Sequence, residues 1–390
     1  MSSPSPPATT IDALIWDSGY LHGRIPGSPD ELDFLRGFHN PKTLADLKQW
    51  LQTNSGTNIC LSSVWQDKYG NVVPNPVAPG QKYRYQEIAD LAVIVRDAQN
   101  SQISSWMWLL QAKVVSNSRG RLPSGDSTDR EIYLYESMPD FSWYGKHSLG
   151  FNFQLRKDFP GTVADYKHWS FLCFRENAQP CPSNKFIDVR WPGSSSNAIA
   201  VSSFCEELLK LVSHFSVRPI PAKVYGAPLE NRPNWEKLAE QILHKARAHP
   251  LFGHASNVKG QKEIVHMFAM MQADRLGRGE VWVDAAKGHV CSAGCPKCFP
   301  SGRLEDMQYS FVSTGFDRNQ PRLDMALAMQ EKSDRIEGRW ARGYDNKESG
   351  DGRREPPGDS DQGDEDGGGA GARLILFVDV ASEERLNLGG

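Results

Sequence analysis

Trp106-Met-Trp-Leu-Leu-Gln-Ala-Lys-Val-Val115 opens with five consecutive apolar residues. Both alternating faces of such a run are apolar, which predicts a strand covered on both sides. Gln111 and Lys113 interrupt it. Two residues apart, they project from one strand face with Met107 and Leu109, while Trp108, Leu110 and Ala112 point the other way. A buried amide or ammonium without a partner costs roughly a few kcal/mol, so a strand this apolar needs a group that satisfies the pair.

The nearest candidate is Asp90, which opens the preceding apolar run Asp90-Leu-Ala-Val-Ile-Val-Arg96. That run has the length and β-branched content of a strand. The polar segment from Asp97 to Ser105 between the two runs suits a hairpin loop. Antiparallel pairing then brings the start of the first strand beside the end of the second, so Asp90 is expected near Gln111 and Lys113. Asp90 followed by Gln111-Ala112-Lys113 resembles the PD-(D/E)xK nuclease superfamily, in the variant where Gln replaces the acidic residue, as in Mrr-type restriction endonucleases. Glu87 lies a short step upstream. The resemblance covers at most Asp33 to Phe215 and implies an α/β fold, a restriction-endonuclease-like core with a mixed central sheet flanked by helices.

For chemistry, the resemblance implies Mg2+ held by the Asp90 carboxylate, the Gln111 side-chain oxygen and the Ala112 carbonyl, a hard, oxygen-only set. Such an ion neutralises charge on the scissile phosphate and lowers the pKa of a bound water, with Lys113 orienting that water or stabilising the developing phosphorane. Glu87 is either a second carboxylate of the site or a structural partner. DNA is the implied substrate and endonucleolytic cleavage the implied activity, in restriction or another defence against foreign DNA. Nucleases of this kind often cut duplexes as homodimers. Two other readings stand beside it. Asp90 can cap a turn and form a buried ion pair with Lys113, with no catalysis. The chain can also be a non-catalytic module, in which a degenerate nuclease fold and a zinc knuckle bind nucleic acid or a protein.

The composition of the 390 residues is ordinary for a globular chain, with ample material for a core. The formal net charge is -3, and the last fifty residues carry 6 Lys and Arg against 12 Asp and Glu, so the rest of the chain is at +3. A mildly basic body with an acidic tail permits nucleic-acid binding without requiring it. No run approaches the roughly 18 apolar residues of a membrane span. The N-terminus has neither the basic nor the apolar region of a signal peptide, and the seven cysteines do not form the spaced framework of a small secreted domain. A soluble, reducing, cytoplasmic setting is expected.

In chain order, residues 1–10 are expected to be disordered. A nuclease-like domain is expected over 11–215, a mainly helical region with a cysteine cluster over 216–340, a disordered acidic Gly-rich linker over 341–372, and a strand and tail over 373–390. Ser28 is expected to cap a helix with Pro29 in its first turn. Helices are expected over Thr43 to Leu51, Thr128 to Ser137, Ser202 to Phe215 and Asn234 to about Arg275. Strands are expected at Asn58 to Trp65, Tyr83 to Glu87, Phe151 to Leu155 and Trp169 to Arg175, and at Arg373 to Val380, which is expected to dock on a sheet edge. Arg130, Glu131, Tyr133 and Glu136 are candidates for a supporting polar residue on the helix after the motif strand.

His289, Cys291, Cys295 and Cys298 can supply the four ligands of a tetrahedral Zn2+ site, although all four within ten residues is tight for one ion. Reduced cysteines in a loop, or a redox pair, are the alternatives. The cysteine spacing also matches the radical SAM cluster motif, but Lys297 stands where an aromatic residue is usual and too little chain follows for a barrel.

Overall fold

The computed structural model describes residues 7–21, 30–65, 71–76, 86–97, 105–115, 122–143, 152–160, 167–175, 187–190, 200–216, 225–247, 281–284, 289–292, 309–314 and 372–381. In chain order its first elements are α1 (Ala8–Leu21), α2 (Glu31–His39), α3 (Pro41–Ser55), β1 (Asn58–Trp65), β2 (Asn71–Asn75), β3 (Gln86–Glu87), β4 (Ala89–Asp97), β5 (Ser105–Val115) and α4 (Asp126–Ser137). There follow β6 (Asp140–Trp143), β7 (Asn152–Phe153), α5 (Leu155–Asp158), β8 (Trp169–Arg175), β9 (Ile187–Arg190), β10 (Ala200–Ser203) and α6 (Phe204–Ser216). The last are β11 (Ala227–Pro228), α7 (Pro233–Arg247), β12 (Val281–Asp284), β13 (His289–Ser292), β14 (Tyr309–Ser313) and β15 (Ala372–Ala381).

The two apolar runs pair as expected. β4 and β5 form an antiparallel ladder from Arg96 opposite Ser105 to Leu91 opposite Leu110. Around them curls a mixed sheet in the order β10-β9-β8-β5-β4-β15-β1-β14-β12-β13, with β11 attached to β5. The β5–β8 and β4–β15 pairs are parallel. The alternation of β5 sorts its residues as the sequence predicts. Trp108, Leu110 and Ala112 pack into a core with Phe34, Phe38, Leu44 and Leu208, which come from α2, α3 and α6. Met107 and Leu109 pack into a second core with Leu134, Trp235 and Leu238 of α4 and α7, and with Phe141 and Phe153 of a small sheet, β3-β2-β6-β7. The fold is therefore mixed α/β, a curled central sheet with helices on both faces. Among the described residues no helix is long and apolar enough to cross a membrane.

Several expectations differ from the structure. Ala8, Thr9 and Thr10 belong to α1, because Ile11, Ile15 and Trp16 give that helix a face to bury. It docks closely on α2: a Cβ on Gly37 would stand 2.5 Å from the Ile15 carbonyl oxygen, so a larger residue there would push the helices apart. The α2 cap is Asp30 and not Ser28. Asp30 accepts from the Asp33 N–H at 2.9 Å, and Asp33 accepts from the Asp30 N–H at 3.1 Å, a reciprocal capping box. The region after residue 216 is helical at α7, but β12, β13 and β14 are strands that extend the central sheet beyond β1. The expected helix beyond 247, the linker over 341–371 and residues 1–6 lie outside the described residues.

β15 is interior and not an edge strand. It lies between β4 and β1, and Leu374, Leu376 and Val378 enter one core while Ile375 enters the other. Its register on β4 is electrostatically matched at both ends. Asp379 stands opposite Arg96 and forms a bidentate pair at 2.5 and 2.7 Å, and Arg373 reaches Asp90 at 3.2 Å. β4 reads acid then base and β15 base then acid, each six residues apart. Only the parallel arrangement brings opposite charges together at both ends.

Candidate functional site

The site lies where β4 and β5 part. The last ladder pair is Leu91 with Leu110, and beyond it the Asp90 carboxylate takes the place of a backbone acceptor. Its Oδ2 accepts the Ala112 N–H at 2.9 Å and also the Gln111 side-chain amide. Gln111 Oε1 accepts in turn from the Tyr135 hydroxyl at 3.2 Å. Lys113 Nζ donates to Glu131 Oε1 at 3.0 Å and lies 3.8 Å from Glu31. The Arg373 guanidinium pairs with Glu87 at 2.9 Å and with Asp90 Oδ1 at 3.2 Å.

Spacing explains how strand and helix meet. Gln111 and Lys113 are two strand residues apart, about 6.6 Å. Ser127, Glu131 and Tyr135 succeed one another at four-residue intervals on α4, each step about 6 Å along the axis. Tyr135 therefore faces Gln111 while Glu131 faces Lys113, with Ser127 Oγ donating to Glu131 at 3.0 Å. Arg130, Tyr133 and Glu136 lie on other stripes of α4, and the Tyr133 hydroxyl goes instead to the Pro76 carbonyl.

Asp90, Gln111 and Lys113 thus converge as the sequence predicts, and Glu87 joins them through Arg373. The direct Asp90–Lys113 ion pair gives way to separate pairs, Arg373 for Asp90 and Glu131 for Lys113. Four participants are not among the residues the sequence singles out: Glu31, Ser127, Tyr135 and Arg373. Tyr135 was legible in its spacing from Glu131. Arg373 was legible in the reversed charge order of the two paired strands.

The heart of this cluster is closed to solvent: Asp90 is 3%, Gln111 2%, Lys113 6% and Glu131 4% exposed. Its rim is open, with side-chain exposures of 18% for Arg373, 21% for Glu87 and 38% for Glu31. Four carboxylates surround two cations, so burial leaves surplus negative charge poorly solvated. Burial, reinforced by Glu87, raises the Asp90 pKa well above the usual carboxylate range. Burial also pushes Glu131 up from 4.5 to about 7, against the opposing pull of Lys113. Glu31 is raised too, chiefly by burial. Burial works against the Lys113 ammonium, but Glu131, Glu31 and Asp90 together outweigh it and raise its pKa, so Lys113 stays charged.

As donors, the carboxylates of Asp90 and Glu87 and the amide oxygen of Gln111 suit a hard divalent cation in type. Glu131 Oε2 is buried with no hydrogen-bond partner among the described residues, a polar atom the cluster leaves unsatisfied. Among the described residues, however, no three His, Cys, Asp or Glu side chains are arranged to hold a metal ion as they stand. Arg373 faces the carboxylate oxygens, and the Gln111 oxygen is turned to Tyr135. Of the second expected metal set, His289 and Cys291 belong to β13, while Cys295 and Cys298 lie outside the described residues. No protein-family model, curated protein or solved structure matches the chain.

Proposed function

We propose that the chain is a metal-dependent phosphodiesterase that cleaves DNA, with its site at Asp90, Gln111 and Lys113. The observation that carries this reading is the convergence of these three side chains, with Glu87 and Glu131, at the point where β4 and β5 part. A strand that is otherwise apolar on both faces holds its polar pair against two carboxylates. The order of elements agrees with a restriction-endonuclease-like core: a hairpin carrying the motif, then a helix bearing a supporting acid, then a strand parallel to the motif strand.

Asp90 and Glu87 would hold Mg2+ with help from the Gln111 amide oxygen. When bound, the ion supplies charge neutralisation at the scissile phosphate and a more acidic water. Lys113, kept charged and fixed by Glu131, would donate to a non-bridging phosphate oxygen as negative charge grows there. Tyr135 and Ser127 hold Gln111 and Glu131 in place, so the polar groups need little rearrangement during the reaction. Attack of water on phosphorus forms one P–O bond as another breaks; the water gives a proton to solvent, and the departing oxygen takes one from solvent. Foreign DNA is the substrate that the nuclease reading implies, with a homodimer as the assembly for cutting both strands.

The burial of Asp90 and Lys113 favours a second reading, a non-catalytic nucleic-acid or protein-binding module in which the cluster fixes the fold. Cleavage of plasmid and linear duplex in Mg2+ separates the two. The first reading expects cutting by the wild-type chain and none by Asp90→Ala or Lys113→Ala. Absence of cutting by wild type, or equal cutting by all three, overturns it.

A further inference from the structure

We propose that Arg373 is a built-in cation that competes with a divalent metal ion for the carboxylates of Glu87 and Asp90 and keeps the resting site closed. This rests on the metal-site reading above and concerns how that site is controlled. The guanidinium donates to Glu87 Oε1 at 2.9 Å and Oε2 at 3.5 Å, and its Nε lies 3.2 Å from Asp90 Oδ1. A divalent ion held by these two carboxylates would need oxygens that the guanidinium now occupies, so the two cations would exclude each other.

The backbone fixes the place of this lock. Arg373 is the second residue of a ten-residue strand that pairs with β4 on one side and β1 on the other. The register that sets Leu374 opposite Leu91 sets Arg373 beside Asp90 on the same sheet face. β15 cannot leave without breaking the centre of the sheet, so opening is confined to the side chain. That side chain is 18% exposed and ends at the open rim beside Glu87, with a way out to solvent. An arginine stem is long enough to keep its anchor while the guanidinium moves several ångströms.

Something is still lacking with Arg373 in place. Glu131, whose Oε1 holds Lys113, keeps its buried Oε2 without a hydrogen-bond partner among the described residues. The four carboxylates of Glu31, Glu87, Asp90 and Glu131 outnumber the two cationic side chains. A divalent ion would bring two charges to these carboxylates where the guanidinium brings one. A charge-assisted pair of this kind corresponds to a binding penalty of roughly 10- to 100-fold for any ion that must displace it.

The test is calorimetric titration of Mn2+ into the full chain without DNA, comparing wild type, Arg373→Gln, Arg373→Lys and the double variant Arg373→Gln/Asp90→Asn. Circular dichroism melts accompany each to show that it is folded. Expected is one site that tightens by roughly 10- to 100-fold in Arg373→Gln and is lost in the double variant. If Arg373→Gln does not fold, Arg373→Lys is read in its place. It retains the charge without the fork, and a smaller but definite tightening is expected. Equal affinity in wild type and the Arg373 single variants, with binding lost in the double variant, overturns the lock and leaves the metal site standing. Absence of Mn2+ binding in every variant, or tightening that survives Asp90→Asn, overturns both.

Discussion

Glu131 makes the protein less stable as pH rises through the neutral range, and the size of the effect follows from its surroundings. In the unfolded chain this carboxyl titrates near its ordinary 4.5, whereas in the fold burial raises it to about 7. Between those values the folded state holds a proton that the unfolded state has released. Stability therefore falls with increasing pH across that window and is constant above and below it. The 2.5-unit displacement corresponds to about 3 kcal/mol at roughly 1.4 kcal/mol per unit. Asp90 and Glu31 are shifted in the same direction, chiefly by burial, so wild type and Glu131→Gln share that part of the profile. The assay is urea unfolding of wild type and Glu131→Gln at pH 5.0 and 7.5. Between the two pH values wild type is expected to lose about 2.4 kcal/mol more than the variant, since part of the full effect lies outside this interval. Equal losses, or a wild type that gains stability relative to the variant as pH rises, would refute the reasoning.

The matched ends of β4 and β15 predict that Asp379→Ala, which strands Arg96, costs about 2 kcal/mol in urea unfolding. The exchange Arg96→Asp with Asp379→Arg should recover most of that loss, and no recovery would mean that the pair does not set the register. Tyr135→Phe removes a hydroxyl that bridges Gln111 and the Ile88 carbonyl, and about 1 kcal/mol of stability should go with it. Asp30→Ala opens the capping box of α2 and should likewise cost about 1 kcal/mol, measured by thermal melts of wild type and variant. A neutral result there would show that the capping box adds nothing to the stability of α2.

Much of the central architecture is legible in local sequence because it rests on local rules. The apolar alternation of Trp106 to Leu110 sorts side chains between two cores, and the polar gap to Asp90 announces a hairpin. Gln111 and Lys113 stand out as polar residues in a buried strand. The position of β15 is less legible, since an apolar run separated from its neighbour by hundreds of residues does not declare which strand it joins. Apolar residues on both of its faces do argue for an interior place. The helix at Ala8 to Leu21 is hidden because its first residues carry no strong pattern and its buried face is completed by α2 and α6. The site is legible in its motif residues and incomplete in their partners. Glu131 stands among the candidates on the following helix, whereas Glu31 and Arg373 come from α2 and β15, far from the motif in sequence, and only the fold brings them to it.

The proposal that this cluster is a phosphodiesterase centre is tested most directly by single-turnover cleavage of labelled duplex DNA in Mg2+, with wild type beside Asp90→Asn and Lys113→Ala. Both substituted chains should be folded, and each should cut at least about 100-fold more slowly than wild type. Cutting that proceeds at the wild-type rate in either variant, or a wild-type chain that cuts nothing while binding Mg2+, would contradict the account.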